Sequence, residues 1–209
     1  MTVKMFYWCL GIIVFFIVLH MLFGAQFDIF NLDRERTPAA IFSALQFIAT
    51  GYALCTLYFL SATRSQRMLW GSLGLLFVLL GLDEISELHE NAAYYLVKYV
   101  PPFPFFQSGT PMWIVFLSPV ILGALILLVI ALRRVYADNW KAGRLLVGAV
   151  LFVLAALVLE FLGGAIVFQT LLPVFVVLEE GAELFAGAFF LFGFSLYAKE
   201  KFCAHFVKK

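Results

Sequence analysis

Hydrophobic positions along the chain fall into six long runs, at about 5–24, 38–61, 68–90, 112–132, 145–167 and 171–197. Each is long enough to cross roughly 30 Å of hydrocarbon as a helix, which takes about 20 residues at 1.5 Å each. The pattern predicts an all-α polytopic membrane protein, with six transmembrane helices in a single domain over residues 1–209. Two runs are interrupted by acids: the third ends in "LDEISELHE", with Asp83, Glu84, Glu87 and Glu90, and the sixth contains "LEEGAEL", with Glu179, Glu180 and Glu183. The long connection 91–111, "NAAYYLVKYVPPFPFFQSGTP", combines tyrosines and phenylalanines suited to headgroup level with four prolines that stop a helix. It reads as an aromatic, interfacial segment on the outer side.

Composition sharpens this picture. Of the 209 residues 64% are hydrophobic and 13% charged, against about 45–50% and about 25% in soluble domains. The 14 lysines and arginines are unevenly placed. Lys4, Arg64, Arg67, Arg133, Arg134, Lys141, Arg144, Lys199, Lys201, Lys208 and Lys209 flank one set of span ends, and Arg34, Arg36 and Lys98 the other. By the positive-inside rule this predicts an inner-membrane protein with both termini cytoplasmic. Residues 1–24 read as a first span rather than a cleaved signal: the apolar run is long, and Phe23 stands two places before Ala25, where a small residue is needed. The net charge of +1 provides no basic face for nucleic acid. Cys9, Cys55 and Cys203 lack the paired spacing of a disulfide or zinc framework.

The two acidic strings align, Leu82 with Leu178, Asp83 with Glu179, Glu84 with Glu180, Glu87 with Glu183 and Leu88 with Leu184. One lies in span three and the other in span six, so the alignment predicts two three-helix halves. An odd number of crossings would invert the second half relative to the first.

Depth and helical phase suggest why the acids are there. Asp83 is 16 residues beyond Arg67, Glu160 is 16 beyond Arg144 and His20 is 16 beyond Lys4, or roughly 24 Å up their helices. Spans one, three, five and six thus bring polar groups to one layer in the outer half of the bilayer. Gln46, Ala49, Thr50 and Ala53 give span two a small and polar face toward the same interior. An ionised acid in hydrocarbon costs at least about 2.5–3.5 kcal/mol, and neither 68–97 nor 145–198 contains a lysine or arginine to pair with it. Protonation, water or a bound cation must compensate.

An acid-rich cluster converging from several helices suits a divalent cation. The expected ligands are Glu84, Glu87, Glu180 and Glu183, with Asp83, Glu160, Glu179 and His20 in or behind them. Calcium, magnesium, manganese, iron and zinc are not distinguished, and whether the site catalyses or transports is left open. Two other readings stand beside it: an accessory or scaffold subunit whose carboxylates are protonated and structural, and a proton- or cation-coupled transporter. Expected partners are the lipid bilayer and other membrane subunits or further copies of the chain. Glu-x-x-His and His-Glu-x-x-His strings do not occur, no serine or cysteine nucleophile stands beside a base, and no phosphate loop is present.

Overall fold

The computed structural model describes residues 3–32, 34, 36–86, 88–99, 112–163 and 171–207. These form α1 (Val3–Phe23), a 3-10 turn (Asp28–Phe30), α2 (Pro38–Leu60), α3 (Arg64–Ser86), α4 (Leu88–Tyr99), α5 (Met112–Asp138), α6 (Trp140–Gly163) and α7 (Leu172–Val207). Strands are absent among the described residues.

Local chemistry fixes the helix boundaries. Thr37 caps α2, its hydroxyl accepting from Ala40 N at 3.3 Å, and Pro38 occupies the first helical position, where its missing N–H is not needed. The turn into α3 is closed by Arg67 Nε donating to Ser61 O at 3.0 Å and by Thr63, whose hydroxyl accepts from Gln66 N. Between α5 and α6 stands Asn139, its Oδ1 accepting from Ala142 N at 2.9 Å.

Pairs of close approach set the direction of each helix. Gly51 lies against Gly74 and Val78, and Gly81 against Ala44 and Ile48, so α2 and α3 are antiparallel. Gly148 meets Phe189 while Gly193 meets Leu146, so α6 and α7 are antiparallel too. Trp70 meets Tyr197 while Phe77 meets Phe190, so α3 runs antiparallel to α7 and α2, which touches α7 through Gln46 and Gly187, runs parallel to it. One end of the bundle therefore collects Arg64, Arg67, Arg133, Arg134, Lys141, Arg144, Lys199 and Lys201, together with the start of α1 and the finish of α7; this is the basic end. The opposite, acidic end holds Asp83, Glu84, Glu160, Glu179, Glu180 and Glu183. At the basic end Tyr197 Oη donates to Asp138 Oδ2 at 2.7 Å and Lys201 pairs with the same carboxylate at 2.7 Å, tying α7 to α5.

The core is built by α2, α3, α6 and α7 with the basic-end half of α5. Trp70, Leu73, Phe77, Leu146, Phe190, Phe194 and Tyr197 form its centre. Around it α1 and α5 leave most of their apolar length uncovered, with Trp8 74% exposed and the outer face of α2 baring Phe59 at 81%. Side chains of that size around a whole molecule suit lipid contact, because water would penalise the exposure at about 25 cal/mol per Å². Among the described residues, five helices are long and apolar enough to cross a membrane: Lys4–Phe23, Pro38–Leu60, Arg64–Ser86, Trp113–Asp138 and Trp140–Gly163. The helix of the sixth expected span, α7, is 36 residues long, about 54 Å, and forms the spine of the bundle rather than its rim.

One boundary differs from the sequence reading. Helix is described over Arg64–Ser86 and again over Leu88–Tyr99, so that 91–99, expected as the start of the outer connection, is helical. Its period explains this: Leu88, Tyr95 and Tyr99 fall on one exposed face, an amphipathic repeat too short to register as a membrane run. The proline-rich stretch 100–111 lies outside the described residues. The expected halves share one feature, close packing of α2 on α3 and of α6 on α7. However, α2 also packs along α7, whereas α6 and α3 are not similarly close.

Candidate functional site

An aromatic floor divides the bundle. The ring of Phe77 on α3 stands 4.9 Å from Phe190 and 6.0 Å from Phe194 on α7, and 6.1 Å from Phe47 on α2. Phe77, Phe190 and Phe194 are almost fully buried. Because α3 and α7 do not pack backbone to backbone along their length, these rings bridge the space between them.

Glu84 follows Phe77 by seven residues and Glu183 precedes Phe190 by seven. Seven residues make two turns, about 10.5 Å, and return within about 20° to the same helix face. On antiparallel helices both carboxylates thus emerge on the acidic side of the floor, above the Phe77–Phe190 contact. Glu183 also lies one turn from Gly187 on the face that meets α2, and Glu180 shares that face two turns from Gly187.

On α2 the same level is polar. Ser43, Gln46 and Thr50 succeed one another at helical spacing, and each is at most 3% exposed. Thr50 returns its hydroxyl to Gln46 O at 2.8 Å. Gln46 Nε2 donates to Cys9 Sγ on α1 at 3.3 Å, while Gln46 Oε1 and Ser43 Oγ have no hydrogen-bond partner. The Gln46 carboxamide is pressed against Gly187, where a Cβ would stand 2.4 Å from its oxygen. Turning the amide over would exchange which end meets the thiol and leave the other against the glycine, equally unpaired. A buried polar atom without a partner costs about 1–3 kcal/mol, so the arrangement is one a fold built for stability alone would avoid.

The sequence-expected residues separate into groups. Glu84, Glu180 and Glu183 lie beyond the floor, on the phases of α3 and α7 set by Phe77, Phe190 and Gly187. Asp83 is turned by about 120° from the Phe77 line and Glu179 lies one turn beyond Glu183 toward the acidic end. Glu160, 8% exposed, faces α5: Trp113 Nε1 donates to its Oε1 at 2.5 Å. His20 faces the α1–α2 connection, its Nδ1 accepting from Leu32 N at 3.0 Å and its ring against Gly24, and so serves as a backbone cap. Glu87 lies outside the described residues. Among those described, no group of three or more His, Cys, Asp and Glu side chains could hold a metal ion. The eight-residue metal cluster expected from sequence is therefore not assembled by them. Ser43 and Trp113 were not foreseen, although Ser43 sits three residues before Gln46 and seven before Thr50, on the line already recognised.

Fold and surface define the class as a multi-pass helical membrane protein. Residues 5–198 match a family described as a domain of unknown function, DUF8692, and the chain belongs to that family. No curated protein and no solved structure matches the chain.

Proposed function

We propose that this membrane protein binds a hard divalent cation at its acidic end, with Glu183 and Glu84 supplying charge and Ser43 and Gln46 neutral oxygens. What supports this is helical phase, which sets Glu84 and Glu183 above the Phe77–Phe190 contact on α3 and α7, together with the buried, unpartnered Ser43 Oγ and Gln46 Oε1 on the neighbouring α2. Hard cations accept carboxylate, hydroxyl and amide oxygens together. With no three charged or imidazole ligands gathered among the described residues, the ion in this reading keeps much of its water, as Mg²⁺ characteristically does. The aromatic floor and the packed core below it favour a site open to one side over a path through the molecule.

Thermal unfolding of the purified protein, stripped with chelator and titrated with Mg²⁺, Mn²⁺ or Ca²⁺, tests the proposal. A bound ion at a hundred times its Kd adds about 2.7 kcal/mol, so the transition should rise with concentration in the wild type. It should not rise in Glu183→Gln or Glu84→Gln. It should still rise in Glu200→Gln, an acid at the basic end bonded to Asn139. An identical rise in all four proteins, or none in the wild type, would overturn the assignment.

A further inference from the structure

At the acidic end, α1, the 3-10 turn and the first turn of α2 enclose a cleft of about 230 Å³. Phe15, Phe16 and Leu19 form one wall, Ile29, Phe30 and Pro38 much of the rest, and Asn31 and Thr37 are the polar side chains in the lining. Leu19 and Phe15 lie four and eight residues before the end of α1, so the cleft descends about 6–12 Å along a lipid-facing helix. A slot of that depth and apolarity fits a hydrocarbon chain. The chain's three basic residues at this end include Arg34 and Arg36, both in the segment between the cleft-lining Leu32 and Thr37.

The charges beside the cleft are of both signs. Asp28 and Arg34 approach at 3.9 Å with side chains 87% and 65% exposed, a loose surface pair that readily exchanges partners. Arg36 is exposed and adopts φ 63°, a left-handed conformation uncommon for a residue with a large side chain, as the segment turns back into α2. The amides at the start of α2 are already engaged, Ala40 N with the Thr37 hydroxyl and Ile41 N with Thr37 O. An anion here is therefore met by guanidinium groups, whose forked donors match a phosphate.

We propose that this cleft is a binding site for a phospholipid of the phosphatidylethanolamine type: one acyl chain lies between α1 and α2, the phosphate meets Arg34 and Arg36, and the ammonium meets Asp28. The segment beside the slot carries Arg34 and Arg36 and, in its sequence, the acids Asp28, Asp33 and Glu35, a set of both signs that complements a zwitterion carrying a hydrogen-bonding ammonium. Phosphatidylcholine keeps the phosphate but its quaternary nitrogen donates no hydrogen bond, and phosphatidylglycerol has no ammonium at all.

Native mass spectrometry of the full chain in mild detergent, exchanged against the three lipids with identical acyl chains, tests this site. One phosphatidylethanolamine per chain should be retained about tenfold over the other two, equivalent to about 1.4 kcal/mol. Asp28→Asn should bring it level with phosphatidylcholine, and the Arg34→Gln/Arg36→Gln pair should lower both; all three positions are exposed, so the fold does not depend on them. Leu19→Trp, which fills the slot, should abolish retention of every lipid. Equal retention of the three lipids by the wild type, a preference for phosphatidylglycerol, or unchanged retention in the double arginine variant would overturn the proposal.

Discussion

Glu183 occupies the position where two packing faces of α7 coincide, the Phe190 line toward α3 and the Gly187 line toward α2. That coincidence turns the position toward two helices, α3 and α2, as helical phase requires. What the sequence could not give was which acids face elsewhere. Glu160 is claimed by Trp113 across 47 residues of chain and His20 by the backbone of Leu32, and both contacts depend on how helices rotate against one another rather than on spacing. Ser43 shows the converse: serine in an apolar helix usually returns its hydroxyl to the preceding turn, as Thr50, Thr56 and Ser61 do here. Ser43 does not, leaving Oγ buried and unpaired. In chelator-treated protein Ser43→Ala should therefore raise the unfolding free energy by about 1 kcal/mol or more, the cost of the unpaired hydroxyl removed. The same variant should respond less to added cation. A loss of stability in chelator would mean that the hydroxyl is satisfied in the native membrane protein and that the energetic argument for the site is wrong.

Helix pairing explains the glycines. Along the α2–α3 seam Gly51, Gly74 and Gly81 let two backbones approach, as small residues do between membrane helices. A Cβ at Gly81 would stand 2.8 Å from Ala44 O, a backbone atom that cannot swing aside, and 2.8 Å from Ile48. Gly123 on α5 has nothing within 4 Å. Gly81→Ala should thus destabilise by about 1–3 kcal/mol, as overpacking does, whereas Gly123→Ala should be neutral or stabilise by up to about 1 kcal/mol through helix propensity. Denaturation of the two variants side by side in detergent checks this, and equal effects would show that the seam is looser than its distances imply. Hydropathy found these helices because it detects hydrocarbon-length runs, but it misplaced their ends. Helix α5 continues through Arg133 and Arg134 to Asp138 because backbone hydrogen bonds persist beyond the apolar run, and long basic side chains reach water from there. By the same logic α4 escaped notice: twelve residues of mixed polarity carry a helical period but no membrane-length run.

The architecture of the whole molecule turns on α7, which is not among the five helices apolar enough to cross by composition. Its acidic-end half carries Glu179, Glu180 and Glu183, while its other half is packed in the core by Phe190, Phe194 and Tyr197. If α7 crosses, three passages by α5, α6 and α7 separate α4 from the chain's last turns, and those turns face the opposite side of the membrane. If it does not, both ends of that stretch share a side. Cysteine accessibility distinguishes the two. Cys203, exposed on the last turns of α7, reports the basic end, and Tyr99→Cys in a Cys203→Ala background reports the acidic end from α4, where Tyr99 is 78% exposed. Cys9 and Cys55 are replaced by alanine in both proteins, so that each carries one reporter thiol. A membrane-impermeant maleimide added to intact cells should label Tyr99→Cys and spare Cys203, and in inside-out vesicles the pattern should reverse, placing the basic end inside as the lysine and arginine distribution requires. Labelling of both from one side would remove α7 from the set of crossing helices and, with it, the premise that its glutamates lie at membrane depth.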